Sequence, residues 1–347
     1  MKKPRLGSID FMRTIALVIM IIANSCPYVL NTPHPVWLRF ISSLAAPLFI
    51  FLSGYSFFIS FKINKDYKHK YLQAIYLLIS AVILDVLAWK IFPFQTFDVL
   101  YLISFGLFIN ILIFHINWRI KLAIAIGCIL ISIILQNIFG YRFINSDPML
   151  NGINRTGFNL DNVFQFKRFL LDGWFPVLPW LSLSIFGSII AEKTETIIRH
   201  IKIWQLISSL LFVLFSFILF NHGIFQDERE GYLELFYPPG ILYLLMAFSF
   251  ILFLFALTYN LNFTNNPQLN HINLLGRNSL FVYLLHTCII AWFFDKYLKP
   301  LPGFSFSLLM ILFVLFCFLI AFLMEWLSDK GMFRFLPSGI KSIIGLK

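Results

Sequence analysis

Long apolar stretches, each ended by a charge or a turn residue, recur ten times along the chain. They fall at about 9–30, 37–61, 71–92, 97–115, 120–140, 174–191, 202–221, 238–260, 275–295 and 304–327. Each is close to the roughly 20 apolar residues that a helix needs to cross a hydrocarbon core. The pattern therefore predicts an all-α, polytopic membrane helix bundle of about ten transmembrane helices. The first stretch also admits a reading as a cleaved signal, with Ala23-Asn24-Ser25 as the processing site. Asp10 and Arg13 at its start favour a retained helix in which the two side chains pair.

Composition removes the main alternative. Of 347 residues, 59% are hydrophobic and 12% are charged, against about 25% charged in an ordinary soluble domain. A soluble globule is excluded, and little chain is left for a second domain, so residues 1–347 read as one integral membrane domain. The net charge of +11 does not call for nucleic acid, because membrane proteins hold their cytoplasmic loops with Lys and Arg. With the N-terminus inside, the inner segments carry about twice the Lys and Arg of the outer ones, which places both termini in the cytoplasm. The inner set includes Lys2, Lys3, Arg13, Lys62, Lys65, Lys68, Lys70, Arg119, Lys121, Arg277 and the basic tail; the outer set includes Arg39, Lys90, Lys167 and Arg168.

Cys26, Cys128, Cys288 and Cys317 lie in or beside apolar stretches without a C-x-x-C pair. They read as packing residues, with no metal expected. Two outer connections, about 141–173 and 222–237, are long for a compact domain, and loops of that kind are often functional.

Polar groups inside apolar spans are costly and need a reason. Arg13 and Asn24 are eleven residues apart, which at 100° per residue puts them on one helix face about three turns apart. The spacing fits an Arg that snorkels and an amide bonded to a neighbouring helix, and it equally fits a polar path. His34 stands in the loop after the first helix, between Pro33 and Pro35 and near the interfacial ring of Trp37. Alone it reads as a solvated loop histidine. In the ninth helix Ser279, Tyr283 and His286 follow i, i+4, i+7 and share a face, either as a hydrogen-bonded network between helices or as the lining of a substrate channel. Asp172 precedes Trp174 and Pro176 and reads as the N-cap that starts the sixth helix. Asp85 and Lys90, five apart, read as separate anchoring or packing features.

Several motifs in chain order resemble one family. Arg5-x-x-Ser8-Ile9-Asp10-x-x-Arg13, followed by Asn24, is similar to the opening of the heparan-alpha-glucosaminide N-acetyltransferase catalytic domain and its bacterial relatives, within the transmembrane acyltransferase superfamily. His34-x-x-Trp37 and Ala46-Pro47-Leu48-Phe49-Ile50-Phe51-Leu52-Ser53-Gly54 resemble its first outer loop and second helix. Val99-Leu100-Tyr101-x-Ile103, Phe175-Pro176-x-x-Pro179-Trp180-Leu181 with Gly187, and Tyr237-Pro238-Pro239-x-x-Leu242-Tyr243-Leu244-Leu245 continue the series. Gly276-Arg277-x-x-Leu280-Phe281-x-Tyr283-Leu284-x-His286 completes it. The resemblance covers about residues 5–290. Where the wider superfamily commonly has a His eleven residues after the helix-1 Arg, this branch tends to have Asn and to carry its reactive His in the first outer loop, where His34 stands.

The resemblance implies a membrane acyltransferase that moves an acetyl group from cytoplasmic acetyl-CoA to an amine or hydroxyl of a sugar or glycan on the outer side. Such chemistry needs a base for the acceptor's proton and donors for the developing oxyanion. It makes His34, Asn24 and Asp172 the catalytic candidates, and Arg13, Arg277, Ser279, Tyr283 and His286 the candidates for holding acetyl-CoA. Trp174, Trp180, Tyr232 and Tyr237 are rings that could stack on a sugar, although most rings in a chain with 18% aromatic residues must be packing or lipid-facing. The expected partners are acetyl-CoA, the glycan acceptor and the bilayer; a homodimer is compatible with such a bundle but no motif specifies it. The absence of long glycosylated loops points to a bacterial cell membrane. Two other functions fit the same residues: a transporter or flippase with an intramembrane polar path, and a catalytically silent relative.

Overall fold

A computed structural model of the chain describes residues 7–94, 97–140, 166–221, 235–236, 239–260 and 272–345. Most of the two outer loops lies outside the described residues, as do Arg5, Tyr232, Tyr237 and Pro238. Among the described residues the fold is helical, and extended pairing is limited to a single parallel bridge between Leu30 and Leu301.

In chain order the main helices are α1 (Gly7–Val29), α2 (Val36–Asn64), α3 (Tyr67–Trp89), α4 (Val99–Leu112), α5 (Trp118–Phe139), α6 (Val177–Glu192), α7 (Ile201–Asn221), α8 (Ile241–Asn260), α9 (Ser279–Tyr297) and α10 (Gly303–Asp329). Eight are long and apolar enough to cross a membrane; α4 and α6 are shorter apolar helices. The ten correspond one to one with the ten apolar stretches of the sequence. Short polar side chains set several starts: Asp66 caps α3 by accepting from His69 N at 2.9 Å, Asp98 caps α4 through Val99 N at 2.6 Å, and Asn117 caps α5 through Arg119 N at 2.9 Å. The Asp66 cap explains why α3 begins four residues before its apolar run, taking Lys68 and Lys70 into its first turn.

The chain divides into two compact units. Unit 1 holds residues 1–49, 198–235 and 246–347. Here α1 meets the segment leading into α9 at backbone contact, because Gly276 has no side chain: a Cβ there would lie 1.9 Å from Asp10 O. Thr14 Oγ1 accepts from Gly276 N at 3.0 Å, and Asn273 Nδ2 donates to Gly7 O at 3.1 Å. At the other end of α1, Asn31 N donates to Leu301 O and Leu301 N to Val29 O, tying the start of the His34 loop to the residues before α10.

Unit 2 holds residues 50–197 and 236–245. Its helices α2 and α6 cross at Gly54 and Gly187. A Cβ on Gly54 would fall 1.8 Å from Ser184 O, and one on Gly187 would fall 2.1 Å from Phe51 O. The Ser184 hydroxyl also accepts from Asn110 Nδ2 of α4 at 2.9 Å, beside Gly106. Small residues with one polar bond are how helices approach closely where lipid offers no hydrophobic drive to associate. By contrast, α5 and α7 bury only 11% of their apolar stretch, against 72% for α2. They present most of their surface outward, as lipid-facing helices do.

Gly54→Ala and Gly187→Ala should each destabilise the folded protein by at least the roughly 1–3 kcal/mol of an overpacked core site. Gly127→Ala on α5, where a Cβ meets nothing within 4 Å, should be neutral or slightly stabilising. Thermal unfolding in detergent compares the three; equal melting temperatures would contradict the crossing described.

Candidate functional site

Most of the residues singled out from sequence belong to unit 1. The Asn24 amide, near the end of α1, lies 3.2 Å from His286 Nε2 on α9 (Nδ2 to Nε2). His286 is fully buried and its Nδ1 lies 2.9 Å from Val282 O. Tyr283 meets the His286 ring edge-on, with centroids 5.3 Å apart, and stacks on Phe49 at 6.4 Å. Two of the three side chains in the predicted polar column are thus in contact with each other, and the column is joined to Asn24. Ser279 heads α9, half-buried, and bonds none of the other candidates among the described residues.

His34 departs from the solvated loop residue that its sequence context suggests. It is buried, at 8% exposed, in the connection between α1 and α2. Trp37, three residues on, is 64% exposed, as an interfacial ring would be.

The two arginines lie near the other end of α1. Arg13 Nη1 pairs with Asp10 Oδ1 at 3.3 Å, the intrahelical pairing expected for a retained helix. Arg277 follows Gly276, which abuts Asp10, so the tight backbone contact brings both arginines to one level of the unit. Arg277 Nη2 pairs with Glu325 of α10 at 3.0 Å, while its Nε is buried without a hydrogen-bond partner among the described residues. Glu325 was not foreseen; a carboxylate within the last apolar helix was the signal that could have found it.

Asp172 belongs to unit 2 and does not cap α6. It closes a π-helical turn, Arg168–Asp172, in which Gly173 N donates to Arg168 O at 2.8 Å. Pro176 instead occupies the position before α6, because Pro176 and Pro179 cannot donate backbone bonds to a helix begun at Asp172. The Asp172 carboxylate is 4% exposed, pairs with Lys167 Nζ at 3.3 Å and accepts no hydrogen bond among the described residues. In the same unit Trp180 packs against Phe175 and Tyr243 at 5.5 and 6.1 Å, and its indole Nε1 is buried without a partner among the described residues.

Two further buried polar pairs of unit 2 also escaped the sequence reading. Asp85, in the π-helical end of α3, accepts from Tyr101 Oη at 2.6 Å and is 1% exposed. It is a paired interior group, and Lys90 lies past the helix end in a left-handed conformation. Lys121 at the start of α5, 1% exposed, pairs with Glu192 at 2.9 Å and sits over the Phe58 ring at 5.0 Å.

Residues 5–225 match the family model described as heparan-alpha-glucosaminide N-acetyltransferase, catalytic. No curated protein matches the chain.

Tyr101→Phe removes the phenol that bonds the buried Asp85 carboxylate. It should lower stability by about 1.5–3 kcal/mol, the worth of a hydrogen bond to a charged group, and Tyr101→Phe/Asp85→Leu should recover part of the loss. Chemical or thermal unfolding of the three proteins decides it.

Proposed function

Since the chain belongs to the heparan-alpha-glucosaminide N-acetyltransferase catalytic family, an acetyltransferase family of the membrane, we propose that it moves an acetyl group from cytoplasmic acetyl-CoA to an amine or hydroxyl of a sugar or glycan on the outer side of a bacterial cell membrane. The observation that carries this reading is the arrangement along α1 in unit 1. Two arginines sit near its first turns, and an unsaturated amide and a buried loop histidine lie at and beyond its far end. Arg13 and Asn24 are separated by eleven residues, about 16 Å of helix. That is the separation expected of a site that grips a charged donor at one level and works on its reactive end at another.

Arg13 and Arg277 are the residues assigned to the donor's phosphates. Guanidinium groups suit that role because their planar donors match phosphate oxygens. The fit has a specific support in the buried Arg277 Nε, a donor without a partner among the described residues. The pairing of both arginines with carboxylates holds them oriented until an anion competes for them. Bound acetyl-CoA would supply the acetyl group as an activated thioester.

His34 is assigned the acceptor's proton, since imidazole is the side chain most often used as a general base. Its burial keeps bulk water from competing for the acetyl group. Asn24 is assigned to the oxyanion that develops at the carbonyl, for which an amide N–H held in a low-dielectric site is an effective donor.

Equilibrium binding of acetyl-CoA to purified full-length protein, run beside transfer to glucosamine, separates these roles. Arg13→Ala should weaken binding about tenfold or more, the loss of roughly 1.4 kcal/mol or more of charge-assisted bonding. His34→Ala should leave binding within about twofold and abolish transfer. Absence of acetyl-CoA binding by the wild-type protein would overturn the proposal and favour a transporter of the same architecture.

A further inference from the structure

The contact between Asn24 and His286 carries more than a link between two helices. Val282 O can only accept, and it lies 2.9 Å from His286 Nδ1, so Nδ1 carries a hydrogen. At Nε2 there are then two options. A second hydrogen would make the ring a cation, fully buried and with no acidic side chain bonded to it among the described residues, which is costly. A bare Nε2 makes the ring neutral and an acceptor. The Asn24 amide group 3.2 Å away must then present its NH2 to the ring, since the flipped amide would set oxygen lone pairs against the nitrogen lone pair. Helix α9 thereby fixes which way round the Asn24 carboxamide stands.

The two partners differ in what they have left to give. Both ring nitrogens of His286 are engaged and the ring is fully buried, with Tyr283 packed edge-on against it. Its hydrogen-bonding capacity is filled. Asn24 is half-buried, and this is the hydrogen bond its side chain makes among the described residues. An amide has two N–H donors and an oxygen with two lone pairs, so one N–H is engaged and the other N–H and the oxygen are uncommitted.

We propose that His286 is the positioning residue of the Asn24 amide, holding one N–H on its Nε2 so that the second N–H and the oxygen are presented to the reactants in a fixed orientation. The proposal rests on the acetyltransferase reading above and adds a residue that acts through Asn24 without touching substrate. It separates His286 from the residues assigned to the donor, so its loss should act on kcat and not on acetyl-CoA binding.

The test is a double-mutant cycle on the full-length protein, with acetyl-CoA and glucosamine as substrates and ¹⁵N-histidine NMR as a readout that needs no turnover. His286→Leu should lower kcat about tenfold or more while leaving KM for acetyl-CoA within about twofold. His286→Gln, whose Oε1 can accept the same N–H, should recover kcat to within about threefold of wild type. In an Asn24→Ala background His286→Leu should cost less than about twofold, because the two residues act as one unit. The NMR spectrum should show Nδ1 protonated and Nε2 bare, with the Nε2 signal moved by Asn24→Ala.

Additive losses in the cycle would overturn the proposal. So would a Gln variant as inactive as Leu in proteins of unchanged melting temperature, or a ring protonated at Nε2. A wild-type protein that transfers no acetyl group would overturn the acetyltransferase reading and the catalytic part of this proposal together, and the ring spectrum would then decide the pairing on its own.

Discussion

Helices surrounded by lipid gain nothing by hiding apolar side chains from a solvent that is itself apolar, so their association must come from close packing and interhelical hydrogen bonds. Both units of this protein meet that constraint in the same way. In unit 2 the α2–α6 crossing has Gly54 against Ser184 O and Gly187 against Phe51 O, with Asn110 bonded to the Ser184 hydroxyl. In unit 1 Gly276 rests against Asp10 O and Thr14 receives its N–H. Each contact consists of a missing side chain on one strand of backbone and a single hydroxyl or amide that fixes register. The positions of the other side chains, including those assigned to chemistry, follow from these crossings.

The interior polar groups fall into two kinds. Asp85 with Tyr101 and Lys121 with Glu192 are pairs whose members satisfy each other. Buried pairs of that sort add little net stability over apolar replacements, but half of one is very costly, so they act against misregistered packings. Asn24 is of the second kind, because its bond to His286 leaves much of the amide's capacity unused. Arg277 is similar: one nitrogen is engaged by Glu325 and Nε has no hydrogen-bond partner among the described residues. Unused capacity in a buried, oriented group is where a ligand can gain binding or transition-state energy without reorganising the protein.

The ten helices were legible because hydrophobic stretches of spanning length are hard to mistake, and only their ends moved. α3 begins at Tyr67 because a cap at Asp66 outweighs two lysines, and α6 begins at Val177 because two prolines forbid an earlier start. The shared face of Tyr283 and His286 was legible from helical spacing, which fixes angles within one helix. Their junction with Asn24 was not determined by spacing, since it depends on how α1 and α9 are rotated against each other. For the same reason the partners of Asp85, Lys121 and Arg277 were unreadable, and His34 looked solvated although the fold buries it. The role of Asp172 was misread because a π-helical turn, with its wider i to i+5 spacing, leaves no composition signature.

The outward-facing helices α5 and α7 have a different kind of consequence. Leu210, Val213 and Phe217 on one, and Ile134 and Ile138 on the other, expose half or more of their surface. Almost any exchange among large apolar residues satisfies the lipid they face. The chain's hereditary information is therefore spread very unevenly. The seventeen large apolar residues that these two helices expose can drift freely within one chemical class. Gly54, Gly187, Gly276 and a handful of polar side chains must instead persist letter by letter for descendants of this sequence to keep its architecture.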